Sequence, residues 1–99
     1  MTGKVAVVFG GGGDVHRGVA VALAQAGAEV AVAGVTGGDL SAEAALHSIA
    51  NEIWALGRKS TVVTLPADDA PSFANAVSAA IAELGRADLV VRAEAVLNA

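Results

Sequence analysis

The segment Lys4-Val-Ala-Val-Val-Phe9, followed directly by Gly10-Gly11-Gly12-Gly13, decides the fold. A short and nearly continuous apolar run is typical of a strand that is buried on both faces, as in a parallel sheet. Beyond the four glycines, apolar residues recur with helical spacing from Val15 onward. A strand, a glycine loop and a helix in this order predict the first β-α unit of an α/β domain.

The same unit repeats along the chain. Apolar runs of strand length predict four strands, at residues 4–9, 29–34, 60–65 and 88–91. Three segments with helical spacing lie between them. Their apolar stripes are Val15, Val19 and Leu23 in the first helix, Leu46, Ile49, Ala50 and Ile53 in the second, and Phe73, Val77, Ile81 and Leu84 in the third.

The ends of the helices carry their own signals. Asp14 and Ser41 stand where N-cap residues belong, and Pro71 fits the first turn of the third helix. A glycine suited to a left-handed backbone ends each helix; these are Gly27, Gly57 and Gly85.

The order βαβαβαβ with right-handed crossovers predicts a single α/β domain over residues 1–99. We expect a three-layer, Rossmann-like architecture in which four parallel strands lie in the order 3-2-1-4. The first two helices then cover one face of the sheet. The third helix alone covers the other face, and covers it only in part.

Composition limits the core and suggests self-association. Hydrophobic residues make up 55% of the 99 residues, but 24 of the apolar residues are alanine, and the chain has no cysteine. A small domain with a thin core and no disulfides often gains stability from oligomerisation. We therefore predict a homo-oligomer, with the third helix and the exposed flank of strand four, near Arg92 and Glu94, as interfaces.

Charge and hydropathy exclude two kinds of partner. The formal net charge of −4 disfavours binding to a phosphate backbone, so nucleic acid is not expected. The longest uncharged apolar stretch, residues 18–28, is too short for a membrane span, which needs about 20 residues. The N-terminus lacks the pattern of a signal peptide. These features predict a cytoplasmic protein that does not associate with membranes.

The four glycines open the first helix at the place where a Rossmann fold brings backbone N–H groups up to a pyrophosphate. Neither register of the dinucleotide fingerprint is complete, because the third glycine would fall at Val15 or at His16. The spacing from Gly13 to Gly18 also fails as a P-loop, since Val-Ala follows in place of Lys and Ser or Thr.

The residues after the glycines allow two interpretations. Asp14 is an acid at the mouth of the loop, where it can serve as an N-cap and would repel a phosphate. Alternatively, His16 and Arg17 offset that charge and bind the phosphate. The candidate nucleotide-binding residues of this region are Gly10, Gly11, Gly12, Gly13, Asp14, His16 and Arg17.

The segment from Phe9 to Arg17 resembles the TGxxxGxG loop of the short-chain dehydrogenase/reductase family. Gly10 matches the first glycine of the motif, whereas Phe9, Asp14 and His16 replace its threonine and its other two glycines. Similar connecting segments at residues 55–59, 67–71 and 83–91 extend the resemblance over the chain. The resemblance implies the N-terminal Rossmann half of a family member, NAD or NADP as cofactor, and an adenine contact from Asp68.

Several family features are altered. Gly34 and Val35 stand where an acid would bind the ribose 2′-hydroxyl or an arginine the 2′-phosphate, so the choice between NAD and NADP is open. Arg92-Ala93-Glu94-Ala95 replaces the family's Asn-Asn-Ala-Gly segment. The family's catalytic Tyr-x-x-x-Lys is absent, because the chain has no tyrosine. We therefore assign no catalytic residue.

A second resemblance covers only the first third of the chain. Gly10-Gly-Gly-Gly-Asp-Val-His16 and the helix after it are similar to the N-terminal strand, loop and helix of certain two-domain glycosyltransferases. The later segments do not extend this likeness.

Other polar residues give weaker indications. His47, Asn51 and Trp54 share one flank of the second helix, either packed at the sheet edge or forming a contact patch. Asp68 and Asp69 are expected to solvate the end of the third strand. With two histidines, no cysteine and no HExxH motif, we predict no metal site.

Two functions of different classes follow. One is a non-catalytic Rossmann module whose NAD(P) binding is weak or absent, as one half of a truncated or split reductase that a complementing chain could complete. The other is an interaction or scaffold domain without a ligand.

Overall fold

A computed structural model describes residues 2–93. Four strands alternate with three helices in the order β1 (Val5–Phe9), α1 (Asp14–Gln25), β2 (Glu29–Val35), α2 (Leu40–Ala55), β3 (Ser60–Leu65), α3 (Ala70–Leu84) and β4 (Leu89–Arg92). All neighbouring strands pair in parallel, in the order β3-β2-β1-β4. The predicted Rossmann-like fold and strand order are confirmed, and the strand ends differ from the prediction by one residue.

The alternation of side chains along the central strands creates two cores. Ala6 and Val8 of β1 belong to the core beneath α1 and α2, whereas Val7 and Phe9 belong to the core beneath α3. Successive residues of a strand point to opposite faces, so a run of apolar residues is needed where both faces are covered. This explains why β1 reads as a continuous apolar run.

The predicted helix stripes are correct for α2 and shifted for the other helices. Leu46, Ile49, Ala50 and Ile53 are buried as predicted. In α1 and α3 the buried residues are instead His16, Ala20 and Ala24, and Ser72, Ala76 and Ala80. Most of the larger predicted residues are half-buried beside these lines, and Ile81 is 44% exposed. Small residues let a helix approach the sheet closely, so larger side chains lie to either side of the contact.

Two of the predicted N-caps are wrong. The N-cap of α1 is Gly13, and Asp14 is already the first helical residue. The N-cap of α2 is Asp39, whose carboxylate accepts the backbone N–H groups of Ser41 at 2.9 Å and Ala42 at 3.3 Å. An aspartate two residues upstream therefore does what was predicted for Ser41. Pro71 lies in the first turn of α3, as predicted.

The predicted glycines end the helices. Gly27, Gly57 and Gly85 have φ values of 104°, 84° and 90°. These lie in the left-handed region that glycine adopts without steric cost. Each helix can thus stop sharply and return the chain to the next strand.

The α3 side of the sheet is covered only in part. An apolar groove of about 360 Å³ runs between α3 and β4, lined by Phe9, Ala70, Phe73, Ala74, Val77, Val90 and Arg92. Among the residues that the structure describes, β4 is an edge strand of the sheet, and its Val90 is 50% exposed. Among residues 2–93, no helix combines the length and the hydrophobicity that crossing a membrane requires.

Candidate functional site

The carboxyl ends of the strands form a cleft at the point where the chain reverses its direction across the sheet. β1 lies between β2 and β4. The helices that follow β1 and β2 pack on one face of the sheet, whereas α3, which leads into β4, packs on the opposite face. Open α/β sheets bind ligands at such switch points. A cleft of about 240 Å³ lies there and is called the sheet-edge cleft below. It is lined by Phe9, Gly10, Gly11, Gly34, Val35, Asp68, Phe73 and Arg92.

The sheet-edge cleft brings together four of the nine predicted site residues, namely Gly10, Gly11, Gly34 and Asp68. The other five belong to the second half of the glycine loop (residues 10–13) and the first turn of α1. They are Gly12, Gly13, Asp14, His16 and Arg17, and none of them lines the cleft. The predicted site is therefore divided between the cleft and the helix N-terminus.

Gly10 and Gly34 allow the ends of β1 and β2 to lie unusually close. The N–H of Gly10 donates to the carbonyl oxygen of Ala33 at 3.0 Å. A Cβ on Gly34 would lie 2.6 Å from the carbonyl oxygen of Gly10 and 3.1 Å from a methyl carbon of Leu46. Any larger residue at position 34 would push the two strand ends apart. The glycine is thus required by packing, whatever it contributes to cofactor choice.

Gly12 is held in a conformation that requires glycine. Its φ is 83°, and a Cβ there would lie 2.8 Å from the Cβ of Ala45 on α2. The glycine loop therefore lies directly against α2, and Gly12 cannot move further toward that helix.

His16 is not placed to receive a phosphate. Its side chain is buried, with 2% of the residue exposed. The N–H of Gly12 donates to Nδ1 at 2.9 Å, and Nε2 lies 2.9 Å from the carbonyl oxygen of Val8. Because a carbonyl oxygen only accepts, Nε2 carries the proton and Nδ1 is the acceptor. Both ring nitrogens thus hold the protein's own backbone.

Arg17 is bound to α2. Its guanidinium donates two hydrogen bonds to the carboxylate of Glu52, with Nη2 and Oε1 separated by 2.7 Å. The hydrogen bond from Arg17 lowers the pKa of Glu52 and raises that of Arg17, with the attraction between their charges adding to both shifts. This exposed pair links the first turn of α1 to the last part of α2. The carboxylate of Glu52 already neutralises the charge that Arg17 would offer to a phosphate.

Asp14 leaves a negative charge at the start of α1. It is exposed and lies in the first turn, and the N-cap residue Gly13 offers no side-chain hydrogen bond. An acid in the first turn stabilises the helix dipole. The same charge opposes an anion that approaches the helix N-terminus.

The far wall of the sheet-edge cleft is an aromatic and charged cluster. The Phe9 and Phe73 rings meet edge to face at 4.9 Å, and the guanidinium of Arg92 lies over the Phe73 ring at 4.6 Å. Arg92 is 3.8 Å from the carboxylate of Asp68. Phe9 and Arg92 are the paired last residues of adjacent strands. The predicted order 3-2-1-4 places them side by side, but no motif in the sequence marks them as site residues.

The neighbouring Asp69 has a structural role. It is the N-cap of α3, and its carboxylate accepts the N–H of Ser72 at 2.9 Å. Hydrogen bonds from Ser72 lower the pKa of Asp69. The side chain of Ser72 contributes most to this shift, and its backbone N–H contributes less. Asp68 and Asp69 therefore differ in function, since only Asp68 lines the cleft.

The remaining candidates of the sequence lie apart from the cleft. His47, Asn51 and Trp54 are all exposed on α2, which agrees with a flank open to contacts rather than packed at the sheet edge. Within residues 2–93, no three side chains of His, Asp or Glu are grouped closely enough to hold a metal ion. Glu94 and Ala95 of the altered family segment lie outside the described residues.

Known proteins with similar sequences are short-chain dehydrogenase/reductases. The chain is 38% identical over 88 residues to the short-chain dehydrogenase/reductase FrzI of a Cladobotryum species, covering 89% of this chain and 32% of that protein. It is 32% identical over 91 residues to hydroxynaphthalene reductase arp2 of Aspergillus fumigatus, covering 92% and 32%. The chain thus spans about a third of the length of these relatives. No protein-family model matches it.

Solved structures give the same result. A hydroxysteroid dehydrogenase from Escherichia coli is 26% identical, with a TM-score of 0.76 over 92% of this chain and 36% of that one. Carveol dehydrogenase from Mycobacterium avium, solved in complex with NAD, is 28% identical, with a TM-score of 0.74 over 91% and 35%. A metagenomic blue fluorescent protein solved with NADPH is also 28% identical, with a TM-score of 0.76 over 90% and 35%.

The fold and the cleft define a Rossmann-type α/β domain with its candidate site at the strand ends. The resemblance to the short-chain dehydrogenase/reductase family is confirmed, and it extends over about one third of the length of each relative.

Proposed function

We propose that this chain is a non-catalytic Rossmann module that binds an adenine nucleotide, NAD or NADP, weakly in the sheet-edge cleft. The observation that carries the proposal is the position of the cleft at the switch point, lined by Gly10, Gly11, Gly34 and Asp68. Similar proteins of known structure bind NAD or NADPH. In this assignment Asp68 contacts the adenine, and the glycines let the nucleotide approach the backbone.

Three features of the helix N-terminus argue that binding is weak. The N–H of Gly12 is already bonded to His16, and the guanidinium of Arg17 is bonded to Glu52. Asp14 adds a negative charge where the diphosphate would lie. The cleft is thus open to the nucleoside end of the ligand, while the phosphate end meets a negative charge and two donors that already have partners.

The proposal also assigns no hydride transfer to these 99 residues. The family resemblance places proton transfer on the phenol of a Tyr-x-x-x-Lys motif, and the sequence has no tyrosine. A general acid or base must lie within hydrogen-bond reach of the reacting group. We expect that NADH mixed with carbonyl substrates and this chain is not oxidised above the background rate. Carbonyl-dependent oxidation of NADH that stays with the chain through further purification would contradict this prediction.

Titration calorimetry with NADH, NADPH and AMP tests the binding itself. We expect dissociation constants near the millimolar range, and weaker AMP binding when Asp68→Asn removes the charge that contacts the adenine. Glu83→Gln, an exposed acid on α3 outside the cleft, is the matched control. The absence of binding by all three nucleotides would instead support an interaction domain without a ligand.

The charge of Asp14 gives a separate prediction. Asp14→Gly and Asp14→Asn should both tighten NADH binding about two- to fivefold, because each removes a charge worth about 0.3–1 kcal/mol near a helix terminus. Asn preserves the size of the side chain, so the pair separates charge from backbone flexibility. The gain should shrink as salt is added. Equal affinity of wild type and both variants would show that the repulsion is absent.

The interaction-domain alternative has its own support in the apolar groove and the open edge of β4. The likeness to glycosyltransferases is less well supported, since the dehydrogenase/reductase relatives align with about nine tenths of the chain. The cytoplasmic location and a complementing chain for a split reductase stay predictions.

A further inference from the structure

We propose that His16 is a positioning residue that closes the glycine loop to a diphosphate, so that the module favours ligands with a short phosphate chain, such as a nucleoside monophosphate, over dinucleotides. This inference rests on the proposed nucleotide binding in the sheet-edge cleft.

The imidazole is fixed at both ends. Nε2 is anchored to the carbonyl oxygen of Val8 in the middle of the sheet, and Nδ1 accepts the N–H of Gly12. Val8 is buried in the central strand, so the anchor does not move with the loop. The ring therefore cannot turn its acceptor away from Gly12 without losing the bond to Val8.

The ring also packs against the first glycine of the loop. A Cβ on Gly10 would lie 2.4 Å from Cγ of His16. The imidazole thus rests on the backbone at the start of the loop and bonds to the backbone in its middle. On its other side, Gly12 is in contact with Ala45 of α2. The loop is held between a side chain of α1 and a side chain of α2.

Diphosphate binding at such a loop depends on backbone N–H groups that point at the anion. A diphosphate that takes the N–H of Gly12 must displace Nδ1 of His16. The displaced nitrogen is buried, and a buried acceptor that loses its donor is costly. The nucleoside end of the ligand does not meet this cost, because His16 does not line the cleft.

Two substitutions separate the acceptor from the anchor. The amide oxygen of His16→Asn reaches the position of Nδ1 and keeps an acceptor for Gly12. The terminal amide of His16→Gln reaches the position of Nε2, keeps the bond to Val8 and frees Gly12. We expect H16Q to bind NADH about tenfold more tightly than wild type, with AMP affinity changed less than twofold. H16N keeps the acceptor but loses the anchor, so its NADH affinity should lie closer to that of wild type than to that of H16Q.

Amide hydrogen exchange supplies a readout that does not depend on a ligand. The N–H of Gly12 should exchange slowly in wild type and H16N and quickly in H16Q. If H16Q does not fold, the wild-type measurement decides: exchange of Gly12 at the rate of an unprotected amide would overturn the proposal.

The outcomes distinguish this proposal from the one on which it rests. AMP binding by all forms without a gain in NADH affinity in H16Q would overturn the closed loop and leave the nucleotide cleft intact. An NADH complex that is as tight in H16N as in H16Q would show that the acceptor on Gly12 does not control binding, which also overturns the proposal. No binding of AMP or NADH by any form would overturn both.

Discussion

Truncation of Leu46 to alanine should lower the free energy of unfolding by about 2–5 kcal/mol, the usual cost of removing a buried leucine side chain. Leu46 lies on the sheet-facing side of α2 and is 2% exposed. Its methyl carbons lie close to Gly34 and to Gly12, so the side chain also supports the floor of the candidate site. A small domain has a total stability of only about 5–15 kcal/mol, so the loss is a large fraction of it.

Leu40→Ala is the matched control for this prediction. Leu40 begins the same helix but is 80% exposed, so the same chemical change removes almost no buried surface. We expect its effect to stay within about 0.5 kcal/mol. Urea unfolding followed by circular dichroism, at one protein concentration for all forms, measures both values. Equal losses for the two variants would mean that α2 does not pack on the sheet through Leu46.

The strand order and the core of α2 could be predicted because they depend on strong, redundant patterns. Each strand is a short run rich in valine, and the spacing between runs allows only one helix per crossover. The stripe through Leu46, Ile49 and Ile53 has large residues on one side and small or polar ones on the other. Here the hydrophobic effect and the helical period indicate the same face.

The stripes of α1 and α3 could not be placed from the same rules. In these helices alanines and valines share the same apolar face. The sequence therefore does not show which of the two sets of residues contacts the sheet. The structure buries Ala20 and Ala24 and leaves Val19 half-buried, because small side chains let the helix lie close to the sheet. The burial of His16 follows from that rotation by one residue.

The candidate site was predictable only where it depends on topology. The strand order alone brings Gly10 and Gly34 to adjacent strand ends. Hydrogen bonds between distant elements of the fold could not be predicted. The bond between Nε2 of His16 and the carbonyl oxygen of Val8 requires the distance between α1 and β1, which no sequence pattern encodes. The bond between Arg17 and Glu52 likewise depends on how α1 and α2 cross.

No strand within residues 2–93 pairs with the outer edge of β4, and this edge carries the prediction of a homo-oligomer. We propose that a second copy of this chain pairs with β4 in antiparallel fashion about a two-fold axis. Val90 is half exposed at this edge and borders the apolar groove. Unpaired edge strands readily accept another strand, and a two-fold axis lets one patch serve both subunits. The flank near Arg92 belongs to this edge, whereas Glu94 lies outside the described residues.

Charge complementarity selects a second copy as the occupant. In an antiparallel pair centred on Val90, each Asp88 stands opposite the partner copy's position 92, which is arginine. Hydrogen bonds from Val5 and Arg86 lower the pKa of Asp88, so this carboxylate is charged at neutral pH. Opposite charges that face each other across two strands stabilise the pair. In this dimer Val90 of one copy therefore meets Val90 of the other, and each Asp88 faces an arginine.

Light scattering at micromolar concentration should give a mass of about twice the 9.6 kDa of one chain, or about four times that mass if α3 forms a second interface.

Val90→Lys should return the protein to a monomer, because it places two like charges side by side on the axis. Ile81→Lys, on the exposed side of α3, tests the other predicted interface and should leave the β4 pair intact. Leu40→Lys adds the same charge on α2, away from both surfaces, and should change nothing. A wild-type mass of 9.6 kDa would contradict self-association, whereas a monomer produced by Ile81→Lys alone would move the interface from β4 to α3.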